Sequence, residues 1–165
     1  MTTAGVERWD RLARAASAAR EGHDEQLVRE LLRVEVAGAA YALPIERVRE
    51  IVRLRPITHV PRVSPLVLGV ISLRGEVVQV LELRQALGAG SAPPERRARI
   101  VVMHGDEGEV AGLLVDAVTE VMRVAESELC EPPGDPADFV SAICTRGDRF
   151  VSVLDPEPVL ELAAR

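Results

Sequence analysis

The side chains that most often carry out chemistry are spread along this chain without the spacing that a reaction or a metal site requires. Its histidines, His23, His59 and His104, fall in no zinc-binding pattern such as H-x₃-H or H-E-x-x-H. All twenty basic residues are arginine, which excludes a P-loop, a Schiff base and a lysine general base. No G-x-G-x-x-G run occurs, and no serine lies in a nucleophile-elbow pattern. We therefore expect a protein that is not an enzyme and that binds neither a metal nor a cofactor.

The charge, the apolar runs and the cysteines indicate which partners and which cellular compartment to expect. A net charge of −6 argues against a nucleic-acid binder, because phosphate contacts require a basic surface. No apolar run approaches the roughly eighteen residues of a membrane span, and the first residues lack the apolar core of a signal peptide. Cys130 and Cys144 lack a metal-binding spacing and fit two reduced thiols. We expect a cytoplasmic protein that does not insert directly into the membrane.

The beginning of the chain has the pattern of an amphipathic helix. Val6, Trp9, Leu12 and Ala16 recur at spacings of three and four residues and form one apolar stripe. An apolar stripe of this kind must be buried against another surface, and two alternatives remain open. The helix packs on its own domain, which we favour, or it docks onto a partner.

The rest of the chain has the pattern of short strands separated by turns. Turn signals recur every eight to twelve residues, and we count about ten strands, which indicates barrels or a sandwich rather than a parallel sheet. The stretch "GVISLRGEVVQVLELR", residues 69–84, predicts a hairpin with Arg74 and Gly75 in its turn. Asp155 and Pro156 predict the start of a terminal helix.

Four stretches together resemble the CheW family of bacterial chemotaxis coupling proteins. They are "YALPIERVREIV", "ITHVPRVSPLVLGVISLRGEVVQVLELR", "AGLLVDAVTEVMRV" and "RGDRFVSVLD". They occur in the order found in the family, and the resemblance covers residues 31–163. Each is weak alone because it is a string of common aliphatic residues, but the four together are specific, above all G-V-I-x-L-R-G followed by an aliphatic strand and L-R.

The resemblance implies a mainly β fold of two small five-stranded SH3-like barrels packed side by side. The first lobe would comprise about residues 31–88 and the second about residues 99–155, followed by a short C-terminal helix at about 156–163. The helical extension at residues 1–30 would be an addition to the family fold.

The resemblance also implies a non-enzymatic adaptor recruited to receptor arrays. Family members bind the cytoplasmic tip of chemoreceptors, the methyl-accepting chemotaxis proteins, and the regulatory domain of a CheA-type histidine kinase. One alternative is a specialised CheW-like protein that has lost one partner and serves another assembly. Another, from a different class, is a small-molecule-binding or enzymatic β-barrel.

The resemblance places receptor binding at the hairpin turn and at the V-x-E-I stretch. The residues implied are Arg74 and Gly75 of the turn, and Val48 and Glu50 of the V-x-E-I stretch. An arginine at the rim of a groove can fork onto a carboxylate or onto carbonyls of a helical receptor tip. The alternative is that Arg74 pairs with Glu50 inside the protein and only braces the hairpin. No residue is assigned to the kinase contact.

Three positions depart from the family pattern. Ser72 stands where Asn is usual, Gln79 where Pro is common, and Glu82 where Asp precedes Leu-Arg. Ser72 lacks the amide that Asn would offer to a receptor. Elsewhere we expect Ile51 in the core and Asp116 as a structural cap.

Overall fold

The computed structural model describes residues 27–133 and 139–164, which form two β-sheets, two short α-helices and two 3₁₀ turns. The helices are α1 (Leu83–Ala86) and α2 (Glu157–Ala164), and the 3₁₀ turns are Ile45–Arg47 and Glu126–Glu128. The strands are β1 (Val28–Val36), β2 (Ala39–Pro44), β3 (Val48–Arg53), β4 (Val67–Leu73), β5 (Glu76–Glu82), β6 (Arg99–His104), β7 (Val110–Val115), β8 (Ala117–Ala125), β9 (Leu129–Cys130), β10 (Val140–Arg146) and β11 (Arg149–Leu154). The predicted mainly β class and C-terminal helix are confirmed.

The strands of one sheet are inserted as a block into the chain segment that forms the other sheet. The first sheet has the strand order β8-β1-β2-β11-β10-β9, and the second has the order β3-β6-β7-β5-β4. Neighbouring strands are antiparallel except β2 with β11 and β5 with β7, which are parallel. The second sheet is therefore one continuous segment, residues 48–115, inserted between β2 and β8 of the first.

This connectivity differs from the predicted lobe boundaries at 31–88 and 99–155. Strands β1 and β2 pair with β8 and β11, whereas β6 and β7 pair with β3 and β5. Apolar alternation predicts a strand but not its partner, because the inner faces of all these strands are similarly aliphatic.

The predicted helical extension at residues 1–30 also ends too late, because its last residues belong to a strand. Strand β1 already begins at Val28, and its pairing with β8 starts there, opposite Ala125. The stripe residues Val6, Trp9, Leu12 and Ala16 lie outside the described residues.

Three apolar clusters hold the sheets together. One cluster lies within the second sheet and includes Ile71, Val80 and Ile100. Another lies within the first sheet and includes Leu31, Met122, Cys144 and Val153. The third joins the two sheets, with Leu32, Val34 and Leu43 from the first, Leu81, Val101 and Leu113 from the second, and Val159 and Leu160 from α2. The two barrels therefore share a core rather than touch at an exposed boundary.

The second sheet closes into a barrel because the chain after β3 pairs with β4. Thr58 and Val70 exchange two backbone hydrogen bonds of 2.9 Å, each amide donating to the other carbonyl. This approach requires Gly69, which has φ of 153°, because a Cβ there would clash with the Thr58 carbonyl. A glycine thus closes the barrel that presents the β4–β5 hairpin.

Candidate partner-binding site at the hairpin tip

Arg74 and Gly75 form the two-residue turn between β4 and β5, in which Leu73 pairs with Glu76. Both have positive φ, 51° for Arg74 and 82° for Gly75. Two positive values are typical of the turn that matches the twist of a hairpin, for which Asn-Gly is the favoured pair. An arginine in the left-handed region costs roughly 1–2 kcal/mol relative to a relaxed backbone. The chain therefore carries strain where Asn would carry little.

The side chain of Arg74 forms an ion pair but remains open to solvent. Its Nη2 lies 3.2 Å from Oε2 of Glu50, and the two side chains are 80% and 18% exposed. The internal pairing with Glu50 is therefore present. An ion pair with one exposed partner contributes about 0–1 kcal/mol, and a guanidinium has five N–H donors. The same arginine can brace the hairpin and still offer donors to a partner.

Strand β3 supplies the other predicted site residues. Its burial alternates, so that Val48, Glu50 and Val52 face inward to different degrees. Val48 packs against the core shared by the two barrels. Ile51 faces outward and is 42% exposed, so its predicted place in the core is wrong. Adjacent strand residues point to opposite faces, so Ile51 and Val52 cannot both be buried in this barrel.

Further contacts fasten β3 and the segment after it to the hairpin. Arg49 Nη1 lies 3.2 Å from Glu76 Oε2, and Arg55 Nη1 donates to the carbonyl of Ser72 at 3.1 Å. Together with Arg74–Glu50 these contacts define what we call the hairpin corner: Glu50, Arg74, Gly75, the bracing residues Arg49, Arg55 and Glu76, and Val48, which precedes Glu50 by two residues on β3. Sequence reasoning missed the bracing residues, because no local pattern indicates which other side chains make contacts between β3 and the β4–β5 turn.

A second polar network joins the two barrels and was also missed. Arg47 contacts the carboxylates of Asp106 and Glu157, and its distance to Glu157 Oε2 is 3.3 Å. His104 Nε2 lies 2.9 Å from the carbonyl of Glu46. These contacts connect the turn after β2, the β6–β7 turn and the start of α2. His104 thus joins the end of β6 to the turn after β2.

Two carboxylates near the connection between the sheets are held by polar partners. Asp116 Oδ2 accepts from the amide of Ala37 at 2.7 Å and from Arg84 at 3.4 Å, which confirms its role as a cap. Glu82 is buried, and its Oε2 accepts from Ser91 Oγ at 2.9 Å. The departure from Asp to Glu is therefore accommodated by a serine from the following loop.

The two thiols lie in different environments. Cys130 is exposed and Cys144 is buried. Burial raises the pKa of the Cys144 thiol, and the nearby Glu128 carboxylate raises this pKa further. The two residues lie on adjacent strands, but Cys130 pairs with Ile143 and Leu129 with Cys144. The thiols thus point to opposite faces of the sheet.

Among the described residues, no group of three or more His, Cys, Asp or Glu side chains is placed to hold a metal ion. Over the same part of the chain, none of the helices has the length and apolar character to cross a membrane.

Two small β-barrels sharing a core, with a polar corner on one hairpin, define a double-barrel protein of the SH3-like kind. The family model for the CheW-like domain matches residues 30–164. The chain therefore belongs to the CheW-like family, a family of chemotaxis proteins.

Individual relatives agree with this assignment. The chain is 31% identical to "Chemotaxis protein CheW" of Helicobacter pylori over 150 residues, which cover 88% of this chain and 90% of that protein. It is 32% identical to the protein of the same name from Bacillus subtilis over 130 residues, covering 76% and 83%. The crystal structure of the scaffolding protein TtCheW from Thermoanaerobacter tengcongensis superposes with a TM-score of 0.74 at 28% identity, covering 79% of this chain and 91% of that one.

Proposed function

We propose that this protein is a non-enzymatic adaptor that couples chemoreceptors to a CheA-type histidine kinase in bacterial chemosensory signalling. It would act in the cytoplasm at receptor arrays, bound to the cytoplasmic receptor tip and to the regulatory domain of the kinase. Family membership and the chemotaxis proteins among its relatives support the proposal. The observation that carries the receptor contact is Arg74, held in a left-handed turn with 80% of its side chain exposed.

The hairpin corner has the chemistry expected for a helical partner. Val48 is half-buried against the shared core, and a helix can dock onto the exposed part of such a side chain through its own side chains at i, i+3 and i+4. The guanidinium of Arg74 would add a directional contact to a carboxylate or to carbonyls at the receptor tip. Gly75 has no side chain and would let the partner backbone approach the turn.

The matched test of the receptor contact compares two hairpin arginines. Arg74→Ala should weaken binding of a soluble receptor-tip fragment by roughly ten- to a hundredfold, the effect of losing a charge-assisted hydrogen bond. Arg149→Ala, beside the turn between β10 and β11, serves as the control and should leave affinity unchanged. Isothermal titration calorimetry measures both. Equal affinities of the Arg74 variant and the parent protein would contradict the receptor contact.

The adaptor role requires that the two partners bind at once. Size-exclusion chromatography of the protein with the receptor fragment and the kinase regulatory domain should yield one ternary complex. Strict competition between the partners would contradict coupling. Binding of only one of them would instead support a specialised CheW-like protein that has lost a partner.

A further inference from the structure

Four arginines line one cleft at an edge of the second barrel. Arg53 and Leu54 come from the end of β3, and Arg99 is the first residue of β6. Glu95, Arg96 and Arg97 come from the turn that precedes β6. The cleft has a volume of about 570 Å³, within the range of roughly 300–1,000 Å³ found for small-molecule sites.

The strand register places two of these arginines directly opposite each other. Arg53 of β3 pairs with Arg99 of β6 across the antiparallel ladder. Directly opposite residues of an antiparallel pair have Cβ atoms about 4.5–5.5 Å apart, and like charges there destabilise the sheet. A pair of this kind is relieved when one anion lies between the two guanidinium groups.

The positive charge of the cleft is only partly neutralised by the protein. Arg97 Nη2 lies 3.2 Å from Glu35 Oε2. Arg99 Nη1 donates to the carbonyls of Ala98 at 2.8 Å and of Arg96 at 3.2 Å. Within residues 27–133 and 139–161, no carboxylate lies within ion-pair distance of Arg53 or Arg96. This concentration of cations occurs in a chain whose net charge is −6.

The turn that carries Arg96 and Arg97 is anchored to the barrel. The amide of Ala98 donates to the carbonyl of Glu95 at 3.0 Å, and the side chain of Ala98 is buried in the core of the second sheet. The guanidinium of Arg99 is held against the same turn by its two carbonyl contacts. A ligand would therefore meet a cleft whose backbone is already ordered, which lowers the entropic cost of binding.

We propose that this cleft binds a small anionic molecule that bears at least two phosphate groups. A phosphate group carries more charge and more acceptor oxygens than a carboxylate, so a single one can bridge the guanidiniums of Arg53 and Arg99. A second phosphate would reach Arg96 on the preceding turn. Leu54 gives the cleft an apolar wall for the remainder of the molecule.

The test uses the full chain and sodium pyrophosphate as the probe, measured by isothermal titration calorimetry. Pyrophosphate should bind saturably at one site, and Arg53→Gln and Arg96→Gln should each weaken binding at least about tenfold. Arg149→Gln, in the first sheet, should leave binding unchanged. Arg99 is left intact because it also holds the turn. Thermal melting of each variant checks that the fold is retained.

Three results would overturn the proposal. Sulfate or succinate binding as tightly as pyrophosphate would show a general cation cluster. An equal loss on Arg149→Gln would show binding by overall charge. A polyglutamate peptide that binds more tightly than pyrophosphate would assign the cleft to an acidic protein segment instead.

Discussion

At the scale of the residue, the contribution of Arg74 to hairpin stability can be compared with its contribution to a partner contact. A turn with two positive φ values prefers Asn at the first position, and an exposed ion pair returns only about 0–1 kcal/mol. The backbone cost of roughly 1–2 kcal/mol is therefore at least as large as the return from pairing with Glu50. The fold alone gives little reason for an arginine at this position.

This balance leads to a prediction for Arg74→Asn. Stability should change by less than about 1 kcal/mol, because relief of the left-handed strain offsets the lost ion pair. Affinity for a receptor-tip fragment should nevertheless decrease. Chemical denaturation and calorimetry on the same sample measure the two effects. A large loss of stability with unchanged affinity would make Arg74 a brace and nothing more.

The two cysteines give a second prediction at this scale. An Ellman titration of the folded protein should modify exposed Cys130 quickly and buried Cys144 only on unfolding, because only thiolates react and burial raises the pKa of Cys144. Cys130→Ser should remove the fast phase, and Cys144→Ser should leave it intact. Two fast phases in the parent protein would contradict the described burial.

The raised pKa of Cys144 also has a defined effect on stability. Below the ordinary thiol pKa of about 8.5 the folded and unfolded chains both retain the proton. Above it the unfolded chain loses the proton more readily, so the contribution of this group to stability decreases as the pH rises.

Part of the candidate site could be predicted from local sequence patterns. The hairpin turn at Arg74–Gly75 follows from a local pattern, and so does the cap at Asp116. The sequence leaves pairing of Arg74 with Glu50 as one of two alternatives, because their proximity depends on the curvature of the whole second sheet. The contacts of Arg47 with Asp106 and Glu157 depend on the packing of separate elements, and no local pattern indicates them.

At the scale of the element, closure of the second barrel rests on Gly69. Gly69→Ala should destabilise the protein by about 2 kcal/mol or more, since the new Cβ clashes with the Thr58 carbonyl and the positive φ is strained. Gly38→Ala is the matched control, because Gly38 also has positive φ but no atom within 4 Å of an added Cβ. It should cost about 1 kcal/mol. Equal losses by chemical denaturation would contradict the role of the close approach.

Elements were easier to predict than their assembly. Most strands have local apolar alternation and turn residues, so the mainly β class and the terminal helix could be derived from sequence. The partners of β1 and β2 lie beyond Asp116, and such long-range pairing leaves no local signal. This is why the contiguous lobes at 31–88 and 99–155 do not match the sheets.

At the scale of the whole molecule, the predicted N-terminal stripe can be tested through Trp9, the single tryptophan of the chain. If the stripe of Val6, Trp9, Leu12 and Ala16 packs on its own domain, the isolated protein should show blue-shifted fluorescence that acrylamide quenches poorly. Burial of Trp9 and Leu12 would then contribute a few kcal/mol at roughly 25 cal/mol per Å².

Deletion of residues 1–24 provides the second measurement of this prediction. A packed helix predicts a lower melting temperature for the shortened protein. A red, fully quenchable spectrum that shifts blue only when a partner is added would contradict packing. It would assign the helix to that partner, because a free helix of this length is marginal in water.

The insertion of the second sheet between β2 and β8 of the first has a consequence for synthesis on the ribosome. The second sheet can complete its pairing once residue 115 has emerged, but β1 and β2 must wait for β8 and β11. Until then the nascent β1–β2 hairpin has two unpaired edges, and Leu31 lacks its core partners Met122, Cys144 and Val153, a state that favours aggregation. A message that stops between residues 115 and 125 would therefore yield a folded second barrel attached to a hairpin with unpaired edges, a species that chaperones would bind or proteases would degrade.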